Sequence, residues 1–192
     1  MKGKGARTFE KVVLCHLDLV YRVAMKLTGD PHEAEDLVQE TFLRAHASFA
    51  SFELREYGAR PWLLKILQNA FFSRCAQAKK APSLLEDLSL DDIATDLDQN
   101  PLPTFPAGTV DWDQFDEELK LAVLALSPKY RSVIVLWALA DLSYKEIAEA
   151  LGCAMGTVMS RLYRARQKLG KELSVFAARR SIKPTPEVNN EL

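Results

Sequence analysis

The chain has 192 residues, of which 48% are hydrophobic and 27% charged, and its formal net charge is −1. This length suits one domain or two small ones, and no apolar run reaches the ~20 residues that a membrane-spanning helix needs. The first eleven residues are basic, but no apolar segment follows them, so no secretory signal is predicted. We therefore expect a cytoplasmic protein.

The charges are distributed unevenly along the chain. Residues 1–80 and 119–180 have an excess of basic side chains, whereas residues 81–118 contain 11 acidic side chains and no basic one. This pattern predicts two basic modules that meet a polyanion, joined by an acidic linker that does not. The three cysteines (Cys15, Cys75 and Cys153) are far apart in the sequence, which favours free thiols over a disulfide framework or a zinc site.

The first module is predicted to contain three helices. Helical periodicity extends over residues 8–28. A second helix is expected over 31–48, because Asp30 can cap its N-terminus and Pro31 suits its first position. Residues 49–58 are predicted to form a loop, and a third helix is expected over 59–80. The apolar face of the first helix is predicted to contain Phe9, Val13, Leu17, Val20, Ala24 and Leu27.

The linker and the second module follow. Residues 81–111 contain four prolines and many aspartates and are predicted to be a flexible acidic linker. Helices are expected over 112–126 and, after a cap and proline at Ser127 and Pro128, over 128–140. No strand pattern is present, so the predicted fold class is all-α, with two small helical domains over residues 8–80 and 112–180. Residues 181–192 are predicted to be a disordered tail.

Residues 142–169 carry the pattern of a helix-turn-helix. Ser143 and Glu146 form a capping box, S-x-x-E, at the start of a short helix. Gly152 stands where a tight turn needs a residue without a side chain, and a second helix begins near Met155.

The second of these helices has two distinct faces. Val158, Leu162, Ala165 and Leu169 recur at helical spacing and are predicted to pack inward. The outward side carries hydroxyl groups and cations and no acidic side chain. This composition favours binding in the major groove of DNA. A solvated basic helix surface is the alternative interpretation. The predicted DNA-contacting residues are Thr157, Ser160, Arg161, Arg164 and Lys168.

Two parts of the chain resemble two regions of a known family, in the same order along the sequence. The run LSPKYRSVIVLWALADLSYKEIAEALGCAMGTVMSRLYRARQKL resembles region 4 of the extracytoplasmic-function (ECF) sigma factors of bacterial RNA polymerase. The runs LTGDPHEAEDLVQETFLRAHASF and RPWLLKILQNAFFSR resemble their region 2. The resemblance implies a factor that binds core RNA polymerase and directs promoter-specific initiation by recognising the −10 and −35 elements.

The resemblance also implies roles for individual residues of region 2. It assigns docking on the clamp helices of the polymerase β′ subunit to Asp36, Leu37, Gln39 and Glu40; an ordinary amphipathic helix with a solvated acidic face is the alternative. It assigns opening and binding of the −10 element to the 49–57 loop and the following helix. The implied −10 residues are Phe52, Arg60, Trp62, Lys65, Asn69 and Arg74. Aromatic rings and cations suit an unpaired strand, although Trp62 also fits the helical core.

Further partners follow from the resemblance alone. Region 4 is expected to contact the polymerase β flap as well as −35 DNA, and an anti-sigma factor is an expected inhibitor. The acidic linker is interpreted either as a mimic of nucleic acid within the polymerase or as a soluble tether. Met159 departs from the family pattern, in which a cation is common, and the run SRCAQAKKA has fewer arginines than is usual.

Two other functions are weighed against this one. A stand-alone helix-turn-helix regulator shares the second motif but lacks a region 2 signature. An enzyme that holds a divalent metal near Asp91 and Asp92 is disfavoured, because these carboxylates lie in a proline-broken segment with no framework. No catalytic residue, cofactor, metal or small-molecule substrate is expected.

Overall fold

A computed structural model describes residues 8–53, 58–78, 117–140 and 142–179, without the side chains of 117–118 and 173–179. The regular elements in these ranges are helical, which confirms the predicted all-α class. Within the same ranges, no helix has the length and apolar content needed to cross a membrane. The α-helices are α1 (Phe9–Val12), α2 (Leu17–Thr28), α3 (Pro31–Ser48), α4 (Arg60–Ala78), α5 (Glu117–Ala125), α6 (Pro128–Leu139), α7 (Tyr144–Leu151) and α8 (Met155–Arg179).

The predicted first helix is broken. A 3₁₀ turn over Leu14–His16 separates α1 from α2. A 3₁₀ helix has about 3.0 residues per turn and an α-helix about 3.6. Side chains before and after the 3₁₀ turn therefore no longer lie on one continuous helix face. Val13 and Val20 remain fully buried, but Leu17 is 49% exposed, so its prediction as a core residue is wrong.

The joint between α2 and α3 matches the sequence prediction. Gly29 ends α2 in the left-handed conformation, with φ of 77°. The Asp30 carboxylate then accepts a hydrogen bond from the backbone N–H of Glu33 at 3.0 Å, and Pro31 occupies the first turn of α3. This cap turns the chain so that α2 and α3 pack side by side.

The start of α6 matches the prediction only in its backbone. The carbonyl oxygen of Ser127 accepts from the N–H groups of Tyr130 and Arg131, and Pro128 follows it. The Ser127 side chain makes no cap, and its hydroxyl is buried without a hydrogen-bond partner. The expected side-chain cap at Ser127 is therefore wrong.

The N-terminal unit (α1–α4) and the C-terminal unit (α5–α8) share one core. Helix α7 packs along α4, and α6 packs against α2. The buried apolar cluster is continuous across both units and includes Leu27, Leu63, Leu67, Leu136, Ile147 and Leu162. The two helical domains predicted from the sequence thus share one apolar cluster in the structure. The predicted linker, residues 81–111, lies outside the described ranges.

Polar contacts also join the two units. The Ser132 hydroxyl on α6 donates to Oε1 of Gln68 on α4 at 2.7 Å, and both residues are buried. Arg131 donates from Nη1 to the Leu27 carbonyl at 2.6 Å and from Nη2 to the Leu126 carbonyl at 3.1 Å. A cation there stabilises the negative C-terminal ends of α2 and α5. Burial lowers the pKa of the Arg131 guanidinium.

Candidate nucleic-acid interface

The helix-turn-helix is formed by α7 and α8. The Glu146 carboxylate accepts from the Ser143 backbone N–H at 2.8 Å, and the Glu146 N–H donates to the Ser143 hydroxyl at 3.3 Å. Gly152 ends α7 with φ of 64°, and the next N–H, of Cys153, bonds to the Ala148 carbonyl at 3.1 Å. These bonds fix the angle at which α8 leaves α7, and they confirm the predicted capping box and glycine turn.

The inward face of α8 is as predicted. Val158, Leu162 and Ala165 are fully buried, and Leu169 is nearly so. Helix α8 packs against α5, α6 and α7 through this face. The opposite face is consequently held outward by the core of the C-terminal unit.

The predicted DNA-contacting residues divide by exposure. Lys168 is exposed, and its Nζ lies 4.6 Å from the centroid of the Tyr130 ring, a cation–π contact. Thr157, Ser160, Arg161 and Arg164 are half-buried. The Ser160 hydroxyl donates to the Thr157 carbonyl at 3.1 Å. Lys168 is therefore the most accessible of the set, and the DNA contacts of all five remain predictions.

Two residues of the outward face are missing from the sequence-based set. Tyr163 and Gln167 are both exposed, and Gln167 Nε2 donates to the Tyr163 hydroxyl at 2.7 Å. At 100° per residue, both positions lie opposite the stripe of buried Val158, Leu162 and Ala165, more directly than Arg161 does. The sequence prediction kept only the serine, threonine and basic residues of the outward side, so it left out Tyr163 and Gln167, although the same angular count places both there.

A cavity of about 220 Å³ lies between the residues that flank the 54–57 segment and the first turns of α4. Phe52 and Trp62, both half-buried, line it with their ring centroids 4.2 Å apart, and Lys65 also lies on its wall. Glu149 of α7 contributes to the same wall, so the cavity is bordered by both units. Aromatic faces beside a cation suit an unpaired base and its phosphate.

The other predicted −10 residues differ in availability. Lys65 and Asn69 are exposed one turn apart on α4, and Arg60 is half-buried at its first residue. The Arg74 guanidinium is bound to the Glu40 carboxylate of α3 at 2.8–2.9 Å. Arg74 thus bridges two helices of the N-terminal unit.

The predicted polymerase-docking residues of α3 also differ. Asp36 and Gln39 are exposed, Glu40 is half-buried beside Arg74, and Leu37 is 0% exposed. Leu37 is therefore a core residue, and the expectation that its side chain contacts a partner is wrong. Leu43, absent from the predicted set, is 73% exposed one turn beyond Gln39 on the same face.

Family models match both units. The model described as Sigma-70 region 2 matches residues 12–81, and the model described as Sigma-70, region 4 matches residues 116–169. These matches cover the two segments that carry the cavity and the helix-turn-helix. They agree with the order in which the two patterns occur in the sequence.

Proteins with similar sequences and structures are also sigma factors. The chain is 32% identical to the ECF RNA polymerase sigma factor SigM of Bacillus subtilis, over 84% of this chain and 93% of that protein. It is also 32% identical to SigE of Mycolicibacterium smegmatis over 84% of its length, but spans only 60% of that longer relative. Among solved structures, the Bartonella quintana sigma factor RpoE has a TM-score of 0.62 at 31% identity, over 87% of this chain and 97% of that one. The chain belongs to the ECF subfamily of sigma-70 RNA polymerase sigma factors, the proteins that direct promoter-specific transcription initiation.

Proposed function

We propose that this chain binds core RNA polymerase through α3, recognises the −10 element at the cavity beside α4, and recognises the −35 element with α8. The observation that carries the proposal is the exposure of suitable groups on each of these surfaces, on a chain whose family acts in this way. The chain catalyses no reaction of its own in this scheme and acts in the cytoplasm, where polymerase and promoters are found.

The proposed polymerase-docking face consists of Asp36, Gln39 and Leu43. These residues follow one another at intervals of three and four, so they lie on one side of α3. Their carboxylate, amide and exposed leucine supply charge, hydrogen bonding and apolar contact for the β′ clamp helices. Leu37 supports this face from the core, and Glu40 is occupied by Arg74.

The proposed −10 surface combines Phe52, Trp62 and Lys65 at the cavity with Asn69 further along α4. A base that leaves the duplex must find a stacking partner and an enclosing wall. The close Phe52 and Trp62 rings provide both, and Lys65 is placed to neutralise a phosphate. Arg60 extends this basic edge at the start of α4.

The proposed −35 surface is the outward face of α8. Its N-terminal part, with Thr157 and Ser160, is the end that enters the major groove in helix-turn-helix proteins. Arg161 and Arg164 are placed for base edges or phosphates, and Lys168 for the phosphate backbone. A contact of the C-terminal unit with the polymerase β flap belongs to the same proposal.

Regulation by an anti-sigma factor is also proposed. The similar Bartonella quintana factor was solved in complex with the anti-sigma factor NepR. We infer that this chain is likewise held by a protein inhibitor. The acidic residues Asp91, Asp92, Asp96 and Asp98 lie outside the described residues, so both interpretations of the linker stay predictions.

The direct test is binding of labelled full-length protein to bacterial core RNA polymerase. Asp36→Arg is expected to weaken binding roughly tenfold because it reverses the charge that faces the partner. Leu43→Asp is expected to weaken binding by a similar factor because it puts a carboxylate where the partner would meet an apolar side chain. Asp18→Arg makes the same charge reversal on an exposed position of α2 and serves as the matched control. A folded parent protein that does not bind core polymerase would overturn the proposal and leave a stand-alone DNA-binding regulator.

A further inference from the structure

An aromatic series (Phe9, Phe49, Phe52 and Trp62) leads from α1 to the cavity beside α4. The ring centroids of Phe9 and Phe49 are 5.3 Å apart with the ring planes at 89°, an edge-to-face contact. Phe49 and Phe52 are stacked with centroids 6.0 Å apart, and the Phe52 centroid lies 4.2 Å from that of Trp62. Aromatic pairs in such arrangements stabilise each other beyond the apolar area that they bury. The series therefore connects the first described helix to the proposed −10 surface.

The position of Phe52 depends on Phe49. Phe52 follows the 3₁₀ turn Phe49–Ser51, has an extended backbone and lines the cavity. Its backbone N–H donates to the Phe49 carbonyl at 3.0 Å, so Phe49 holds Phe52 through the main chain as well as through its ring. A displacement of Phe49 would therefore move the Phe52 ring within the cavity.

Phe49 is held in turn by Phe9. The half-buried Phe9 ring makes edge contacts with Phe49 and with His46 of α3, the second at 5.1 Å between centroids and 76° between planes. Its helix is attached to the core at Val13, which is fully buried and whose N–H donates to the Phe9 carbonyl at 2.8 Å. Phe9 is thus fixed by its backbone and by its ring, although it does not itself line the cavity.

The last pair of the series shows why the orientation of Phe52 matters. Stacked aromatic rings need a centroid separation of about 4.5 Å or more, so the 4.2 Å between Phe52 and Trp62 leaves no room for a base between them. A base in the cavity must stack against an outer face of one of these rings. If that ring is already held in place, binding avoids the ordering of one side chain, which otherwise lowers affinity about two- to tenfold.

We propose that Phe9 is a positioning residue for −10 recognition, which acts through Phe49 on the base-stacking ring of Phe52. The inference rests on the proposed function, since it assumes that the cavity beside α4 receives an unpaired base. Phe9 precedes residues 12–81, the segment that the region 2 family model matches, so the match to that model does not include it. The −10 site thereby extends to α1.

The test uses holoenzyme reconstituted from core polymerase and the full chain, with fluorescent single-stranded −10 oligonucleotides. Each base is replaced in turn by an abasic sugar, and loss of the base that enters the cavity should weaken binding of the parent at least about fivefold. Phe9→Leu keeps apolar bulk but removes the ring. It should weaken binding of the intact strand about three- to tenfold and binding of that abasic strand less than about twofold, because both changes affect one contact. Phe9→Tyr keeps the ring and should bind as the parent does.

Two further variants complete the test. Trp137→Leu is the matched control, because Trp137 is a half-buried aromatic side chain of α6 outside the series, and it should weaken neither strand. If Phe9→Leu loses helicity by circular dichroism, His46→Ala takes its place, because His46 is exposed and its ring contacts Phe9. This variant should weaken only the intact strand, about twofold, whereas His32→Ala, exposed on the same helix, should weaken neither.

Two results would overturn the positioning role. One is a folded Phe9→Leu or His46→Ala protein that binds the intact strand as tightly as the parent does. The other is a loss of affinity by the same factor for the intact and abasic strands, which is the effect of a purely structural change. In either case the proposed function stands if the parent binds core polymerase and its affinity depends on the base. A parent that fails in either respect rejects the proposed function, and the positioning role with it.

Discussion

Arg74 on α4 donates from Nε to Oε2 of Glu40 on α3 at 2.9 Å, and its Nη2 lies 2.8 Å from the same oxygen. Arg44, one turn along α3, pairs with the other carboxylate oxygen. The family resemblance implies different partners for Glu40 and Arg74, polymerase for one and DNA for the other. In the structure they bind each other, and this contact joins α3 to α4.

This pairing predicts a measurable coupling energy. In a double-mutant cycle with Glu40→Gln and Arg74→Gln, we expect a coupling of about 1 kcal/mol in the free energy of unfolding, since the pair is only partly shielded from solvent. The Asp18–Arg22 pair, 3.0 Å apart and more exposed, is the control and should couple by less than about 0.5 kcal/mol. Urea denaturation measures both cycles. Equal coupling in the two cycles would show that the α3–α4 bridge has no special role.

Two leucines of α3 provide a second prediction. Leu37→Ala should lower the free energy of unfolding by about 2–5 kcal/mol, because it leaves a cavity in the core. Leu43→Ala should change it by less than about 0.5 kcal/mol and should still weaken binding to core polymerase. Urea denaturation and polymerase binding of the same two variants separate the roles. A stable Leu37→Ala protein with weakened polymerase binding would reverse the assignment.

The capping box of α7 provides a third prediction. Ser143→Ala removes the hydroxyl that accepts from the Glu146 N–H and should cost about 1 kcal/mol of stability. Ser143→Thr keeps a hydroxyl and should retain most of it. Thermal denaturation measures the change, and a parallel −35 binding assay should show a loss only for the alanine variant. Identical melting of both variants would contradict a stabilising cap.

The outward face of α8 provides a fourth prediction, which rests on the proposed function. Lys168→Ala should reduce the slope of log affinity against log salt concentration for a −35 duplex by about 1, because one phosphate contact is lost. Tyr163→Ala should lower the affinity with an unchanged slope, since it removes no charge. Fluorescence anisotropy at several salt concentrations distinguishes the two effects. An unchanged slope for Lys168→Ala would place this lysine away from the phosphates.

His16 provides a prediction about pH. Burial, together with the nearby Arg60 cation, lowers the pKa of His16 in the folded chain. Because the unfolded chain, with a histidine pKa near ~6.5, binds a proton more readily, the stability from neutral His16 is complete above that value and declines as the pH falls below it. Unfolding experiments at pH 7.5 and about 5 should therefore show a smaller loss for His16→Gln than for the parent. His32→Gln, at an exposed position, should behave as the parent does.

Local features of the fold were predictable from the sequence, whereas contacts distant along the chain were not. Asp30, Pro31, Ser143 and Gly152 fix helix ends through bonds to near neighbours, so their patterns predict α3 and α7 directly. The packing of α7 on α4 depends on two surfaces more than 60 residues apart, and periodicity identifies an apolar face without naming its partner.

The functional residues divide in the same way. The family resemblance indicated Lys65 and Asn69, and the outward face of α8 indicated Lys168; the structure leaves all three exposed. The resemblance also selected Leu37 and Glu40, whose side chains are occupied by the core and by Arg74, because similarity to a family motif does not show which way each side chain faces. The sequence prediction omitted Leu43 and Tyr163, which angular position on α3 and α8 identifies.

The shared apolar core has a consequence for temperature. Separation of the two units exposes apolar side chains to water, and the free energy that opposes this exposure becomes smaller on cooling. The contact between the two units should therefore weaken at low temperature. A core that joins two units would in this way make their separation depend on temperature.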